Sequence, residues 1–233
     1  MRLLYIHGYV EDPSIFDHLA PLLPGPVRRS GGTAADEAVR LNLRDEFARW
    51  NPDDRAVNVS SLAAYLAETY RIGPTDVVIG HSMGGWIAVH VKALTGCGAV
   101  QVSSYTDPKK IVTFTRNVGL LRWLVRLGLV QSRAFANYAL KKYPFDESRA
   151  LHQGLIGNMV AQPKRYLYQQ LRVLMAKPTG PSAPPDVRIH TRPDNVLLFP
   201  DEPCHETPGD HFNLVFHPQE VAAPILAYLR ARS

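Results

Sequence analysis

Residues 76–103 constrain the fold more than any other stretch of this chain. Asp76-Val77-Val78-Ile79 is a short apolar run without polar alternation, as in a strand buried on both faces. Gly80-His81-Ser82-Met83-Gly84-Gly85 follows at once as a turn, and Trp86 to Leu94 reads as a helix that stops near Gly96. Ala99 to Ser103 reads as a further strand. Strand, turn, helix, strand is a βαβ unit, which puts two parallel strands in one sheet and a helix on its face. The expected class is α/β, with a mostly parallel sheet flanked by helices.

Gly80-His81-Ser82-Met83-Gly84 also has the pattern G-x-S-x-G. A serine at the centre of that pattern sits on a sharp strand-to-helix turn whose backbone admits only small residues at the flanking positions. The turn lifts the hydroxyl off the C-terminal edge of the sheet. It also aims the first helical N–H groups, and the positive end of the helix, at a reacting oxygen. Ser82 is thus a candidate nucleophile. The bland alternative is an idle serine in a glycine-rich turn, and the strand before it and apolar helix after it argue for the nucleophile.

The other elements are less sharply written. Arg2 to Ile6 reads as a strand ending at His7-Gly8, and Asp12-Pro13-Ser14 opens a helix through Leu23 that Pro24-Gly25-Pro26 stops. Val27 to Asn58 has no clear period, and Ala38 to Leu43 fits a strand or a helix. Leu62, Leu66 and Tyr70 give helical spacing over Val59 to Tyr70, closed by Gly73-Pro74. From Tyr105 to about Pro178 the pattern is helical throughout, and Lys177 to Pro185 is a stiff proline-rich linker. Val187 to His190 reads as a strand, Pro203 to Thr207 as a second candidate, and Asn213 to Arg230 as a closing helix. The organisation expected is one domain: a core of residues 1–104 and 179–233, with 105–178 inserted as a helical lid.

Leu3-Leu4-Tyr5-Ile6-His7-Gly8-Tyr9 and Val77 to Gly85 together resemble the two N-terminal signatures of the α/β-hydrolase superfamily. The resemblance covers residues 1–103 and 186–233. It implies an oxyanion hole made by the backbone N–H groups of Tyr9 and Met83, with His7 shaping the loop. It also implies an acid and a histidine late in the chain, in the order Ser, Asp, His. Ile189 to Val196 is similar to the family's acid-bearing segment, with Asp194 as the acid, although Thr191 stands where glycine is usual. Asp107, Asp201 and Asp210 compete. Asp107 is the strongest of these, because some thioesterase domains carry the acid after the strand that follows the nucleophile helix; here that position is Ser103. Pro208-Gly209-Asp210-His211-Phe212 resembles the histidine loop, with His211 as base. His205 and His217 lack the preceding glycine turn, and His81, His90 and His152 read as bystanders. The family's antiparallel strands ahead of the first signature and its helix between acid and histidine find no counterpart here, so a compact version of the fold is expected. A serine at the elbow argues against the dehalogenases and epoxide hydrolases of this fold, which use aspartate there.

Composition narrows the function classes. Hydrophobic residues make up 45% of the 233 and charged residues 20%, ordinary globular proportions. No apolar run reaches the roughly 18 residues of a membrane span, and the N-terminal run lacks a cleavage site, so a cytoplasmic location is expected. Cys97 and Cys204 are too few for a disulfide framework. Cys204 has His205 beside it but no nucleophile-presenting turn, and Cys204, His205, His211 and His217 lack metal-ligand spacing. Between Ser104 and Gly180 stand 13 Lys and Arg against 3 Asp and Glu, while the rest of the chain holds 13 against 18. This basic insert is either a solvated surface or an attractor for an anionic substrate, an acidic acyl carrier or a lipid headgroup. The function expected is cleavage of a carboxylic ester through an acyl-enzyme on Ser82, with thioesterase action on an acyl-CoA or carrier-bound acyl chain second. A slow-turnover ligand receptor on the same fold is the alternative from another class. No dissociable cofactor, metal or nucleic acid is implied.

Overall fold

The computed structural model describes residues 1–25, 27–29 (backbone only), 38–113 and 115–232. Pro26 and the 30–37 part of the stretch without a clear period lie outside the described residues. Among the described residues seven strands form one sheet: β1 (Leu3–Ile6), β2 (Val27–Arg29), β3 (Ala38–Leu41), β4 (Val77–His81), β5 (Gly98–Val102), β6 (Val187–His190) and β7 (His205–Glu206). Their order is β2-β3-β1-β4-β5-β6-β7, and every pairing is parallel. β1, β4 and β5 are buried at every residue, which is why they read as continuous apolar runs.

Alternation along those strands divides the core in two. Leu4, Ile6 and Val78 enter one apolar cluster, and Leu3, Tyr5, Val77 and Ile79 enter the other, because successive side chains point to opposite faces. The first face is covered by α1 (Leu43–Trp50), α2 (Val59–Thr69) and α3 (Met83–Thr95) through Phe47, Leu62, Leu66 and Ile87. After β5 come α4 (Val118–Arg126), α5 (Arg133–Lys142), α6 (Arg149–Ala161) and α7 (Lys164–Met175). The second face is covered by two short 3-10 turns, Pro13–Phe16 and Ala20–Leu22, and by α8 (Asn213–Phe216) and α9 (Pro218–Arg232).

Two expected helices differ from what forms, and proline is the reason in both. The single helix expected from Asp12 to Leu23 is two 3-10 turns, since Pro21 can donate no backbone hydrogen bond and disfavours helical geometry at Ala20. The closing helix breaks at His217 and restarts at Pro218, which is at ease in the first turn of α9. The ambiguous Ala38 to Leu43 resolves as β3 followed by Asn42, whose side chain caps α1 by accepting from the Arg44 amide.

The inserted helices differ from one another. α7 is buried along most of its length and packs on α2 and α4. α5 packs on α6 and has no buried residue. Before α4, Ile111 makes an isolated antiparallel bridge with Leu197.

The chain leaves β1 toward β3 and later returns on its other side at β4, so the C-terminal ends of β1 and β4 flank the point where strand order reverses. Crevices for ligands form there in open parallel sheets. His7 and Ser82 are the residues that emerge from those two ends.

Candidate active site

Ser82 has φ 51° and ψ −119°, a left-handed backbone that an L-residue adopts only when the surroundings hold it. Its neighbours do so. A Cβ on Gly80 would lie 2.2 Å from the Gly84 carbonyl, and one on Gly84 would lie 1.8 Å from the Ile6 oxygen. The Ser82 amide donates to Val102 O at 3.0 Å, and its carbonyl accepts from the Ser104 hydroxyl at 2.6 Å. The strained residue is therefore pinned to β5 and the loop after it while its side chain stands at the N-terminus of α3. The helix begins at Met83, three residues earlier than the sequence suggests, because the small residues of the turn are themselves helical.

Asp194 and His211 meet. His211 Nδ1 lies 2.7 Å from Asp194 Oδ2, and Asp194 Oδ1 accepts from the Val196 and Leu197 amides at 2.7 and 2.9 Å. Burial alone would raise the pKa of Asp194. The charge and hydrogen bond of His211, with the two amides, outweigh it and hold the carboxyl below its ordinary value. For His211, burial acts downward, and the charge and hydrogen bond of Asp194, then Glu11 and Asp210, lift it above the usual histidine value. The pair is thus arranged as an ionised carboxylate fixing the tautomer of an imidazole.

The competing acids are engaged elsewhere. Asp107 caps the 3-10 turn Pro108–Lys110 by accepting from the Lys109 amide. Asp201 is exposed and paired with Lys110. Asp210 is buried beside His211 in sequence but accepts from the Phe212 amide at 2.9 Å and from the Ser148 hydroxyl. Burial pushes the Cys204 thiol up, the opposite of what a nucleophilic thiolate needs. Cys204 and His205 line a cleft of about 700 Å³ that includes none of Ser82, Asp194 and His211.

Around Tyr9, the amides on both sides are taken: Gly8 N–H donates to Glu11 Oε2 at 2.6 Å and Val10 N–H to Gln170 Oε1 at 3.0 Å. Val10 has φ 54°, so this loop too is held against backbone strain. The Tyr9 amide stands between these anchors, while the Tyr9 hydroxyl is buried without a partner among the described residues. His7 bridges the loop, with Nδ1 2.9 Å from Gly8 O and Nε2 accepting from the Leu43 amide at 3.1 Å, which is a structural task. Met83 is fully buried directly after Ser82.

Three residues that the sequence did not mark as part of the site, His81 having read as a bystander, tie these parts together. His81 places Nδ1 2.9 Å from Glu11 Oε2 and Nε2 2.9 Å from the His211 carbonyl oxygen, and the His81 and His211 rings are 5.0 Å apart. Both His81 and Glu11 are buried. Glu11 therefore holds the Tyr9 loop by one bond and, through His81, the elbow and the histidine loop. Burial would raise its pKa, but the His81 contact, then His211 and the Gly8 amide, bring it below the ordinary value. Gln170, from α7, is the third. No local pattern marks any of them; an acid two residues after His-Gly-Tyr and a histidine inside the elbow are the only hints.

A parallel sheet with a strained serine after a central strand, and a carboxylate–imidazole pair in the loops after β6 and β7, defines the α/β class of hydrolase folds. The chain matches the alpha/beta hydrolase family over residues 3–230 and belongs to it. It is 39% identical to the lipase LipV of Mycobacterium tuberculosis over 93 residues, 40% of this chain and 31% of the lipase, so the match spans under a third of that protein. Its fold is similar to those of a hydrolase from Oleispira antarctica (TM-score 0.66, 11% identity, 98% of this chain and 90% of that one). A thermophilic esterase from Thermogutta terrifontis is also similar (0.64, 13%, 100% and 90%). So is the RedJ thioesterase from the prodiginine biosynthetic pathway of Streptomyces coelicolor (0.56, 19%, 100% and 90%).

Proposed function

We propose that this chain is a serine hydrolase that cleaves a carboxylic ester, with Ser82, His211 and Asp194 as its catalytic triad. The observation that carries this reading is the buried hydrogen bond between His211 and Asp194, on a loop whose carbonyl is bonded to the residue immediately before Ser82. His211 takes the proton of Ser82 Oγ as that oxygen attacks the acyl carbonyl. The N–H groups of Tyr9 and Met83 stabilise the oxyanion, an effect worth roughly 3 kcal/mol per donor. His211 then gives the proton to the departing alcohol, and water activated by the same imidazole releases the acid from Ser82.

Residues 105–178 are proposed to cover the site. Support comes from Gln170 on the Val10 amide and from Ser148, ahead of α6, on Asp210 next to His211. Tyr105, Leu121, Val125 and Tyr166 share one buried cluster with Met83, and Tyr9 packs against it, which suits an apolar acyl group. The excess of cations in this segment favours, as a second reading, an acyl chain carried on an anionic thioester such as acyl-CoA. A cytoplasmic site of action belongs to the same proposal; among the described residues no helix is long and apolar enough to cross a membrane.

The test is turnover of short p-nitrophenyl esters and of acyl-CoA by wild type and Ser82→Ala at two salt concentrations. Ester turnover lost in Ser82→Ala and insensitive to salt supports the esterase. Acyl-CoA turnover that exceeds it and falls with salt supports the thioesterase. Ligand binding without turnover of either would turn the reading to a receptor.

A further inference from the structure

Twelve large apolar side chains stand exposed among the described residues, and seven of them fall between Val112 and Tyr138. Leu120, Trp123 and Leu127 recur at helical spacing along α4 and the turn after it. They lie on the side away from Leu121 and Val125, which are buried. Leu129, Phe135 and Tyr138 continue the series onto α5. Trp123 is 54% exposed and Tyr138 62%. Scattered exposed leucines need no explanation, but a run of this kind marks an interaction surface.

The charges in the same stretch have one sign. Residues 105–142 hold eight Lys and Arg and one acid, Asp107, whose carboxylate is occupied in capping. Arg126, Arg133, Lys141 and Lys142 are exposed and form no ion pair among the described residues, and Arg122 lies over the Tyr168 ring, 5.7 Å from its centre. The same face of a second copy would bring like charge against like. α5 buries none of its own residues, and Phe135, Tyr138, Lys141 and Lys142 along it are all exposed. Tryptophan and tyrosine beside arginine and lysine on exposed, basic helices fit the interface of a bilayer, where rings and methylene stems enter the headgroup layer and cations meet phosphates.

We propose that the exposed sides of α4 and α5, consecutive helices joined by residues 127–132, bind the surface of an anionic phospholipid bilayer. Trp123, Leu127 and Tyr138 enter the headgroup layer, and Arg126, Lys141 and Lys142 meet lipid phosphates. This binding does not depend on the catalytic reading of Ser82. If that reading holds, acyl lipid would be presented on the outside of α4, whose inner side joins the cluster containing Met83.

The test is sedimentation of the full chain with phosphatidylcholine vesicles, with and without phosphatidylglycerol, at low and raised salt. Wild type is expected to bind only the anionic vesicles, and less at raised salt. The triple variant Arg126→Glu/Lys141→Glu/Lys142→Glu should bind roughly 100-fold more weakly. Trp123→Ser/Leu127→Ser should lose about tenfold while keeping the salt dependence. Quenching of tryptophan emission in the wild type by brominated lipid gives a second readout that needs no variant. Failure to bind anionic vesicles at low salt would overturn the proposal. So would equal binding by both variants and wild type, or lipid-free self-association that Trp123→Ser/Leu127→Ser abolishes. Capture of an acidic acyl carrier protein by this face, with vesicles ignored, would assign the surface to that partner instead.

Discussion

At the scale of single residues, the environment of His211 sets how the protein should respond to pH. On the proposed reading His211 is a general base, which works only when neutral, and Asp194 lifts its pKa above the ordinary 6.5. The acid limb of the kcat/KM profile should therefore have its midpoint above 6.5, and in Asp194→Asn it should move down, because burial is then the main remaining influence. The same variant should lose about 10⁴-fold in kcat, since an asparagine favours the wrong tautomer. Stability follows from the same two groups. The raised His211 pKa contributes fully below 6.5 and is lost as pH rises through the folded value. The lowered Asp194 pKa contributes above the ordinary 3.8 and is lost as pH falls through the folded value. The gap in melting temperature between wild type and Asp194→Asn should thus be widest between those two ordinary values and narrow on either side. Glu11 gives a separate prediction. Glu11→Gln removes the charge that joins the Gly8 amide to His81, so kcat should fall roughly 10- to 100-fold with little change in KM, as a small displacement of reacting groups would produce. An unaltered kcat in a folded Glu11→Gln would mean that the network holds the fold without tuning the site.

At the scale of elements, two glycine substitutions should behave oppositely. Gly84→Ala drives a methyl group into the Ile6 carbonyl and should prevent folding or displace Ser82, read as insoluble or inactive protein. Gly157→Ala lies on α6 with nothing within 4 Å among the described residues and should stabilise by about 0.5–1 kcal/mol, a rise of roughly 1–4 °C in melting temperature. What could be read in the sequence divides along similar lines. β1, β4, the elbow and α3 were legible because a fully buried strand and a glycine-flanked turn are local patterns. Asp194 and His211 were legible as a resemblance, and their loops do bring them together. Glu11, His81 and Gln170 were not, because their partners lie far off in sequence: 70 positions from Glu11 to His81, 130 from His81 to His211, and 160 from Val10 to Gln170. Contacts of that range leave no periodicity to detect. The 3-10 turns near the N-terminus show the other failure, start and stop signals that suit one helix overruled by Pro21 between them.

At the scale of the whole molecule, charge is distributed unevenly: the inserted helices are basic and the remainder is neutral to acidic. One sheet carries Ser82, Asp194 and His211 just after the ends of β4, β6 and β7, while residues 105–178 contribute Gln170 to the Val10 amide and Ser148 to Asp210. The account rests on these parts activating Ser82. Its most direct test is labelling with a fluorophosphonate probe, comparing wild type with Ser82→Ala by intact mass. One adduct is expected on the wild type and none on the variant. An unlabelled but well-folded wild type, or a Ser82→Ala variant that still takes one adduct, would contradict it.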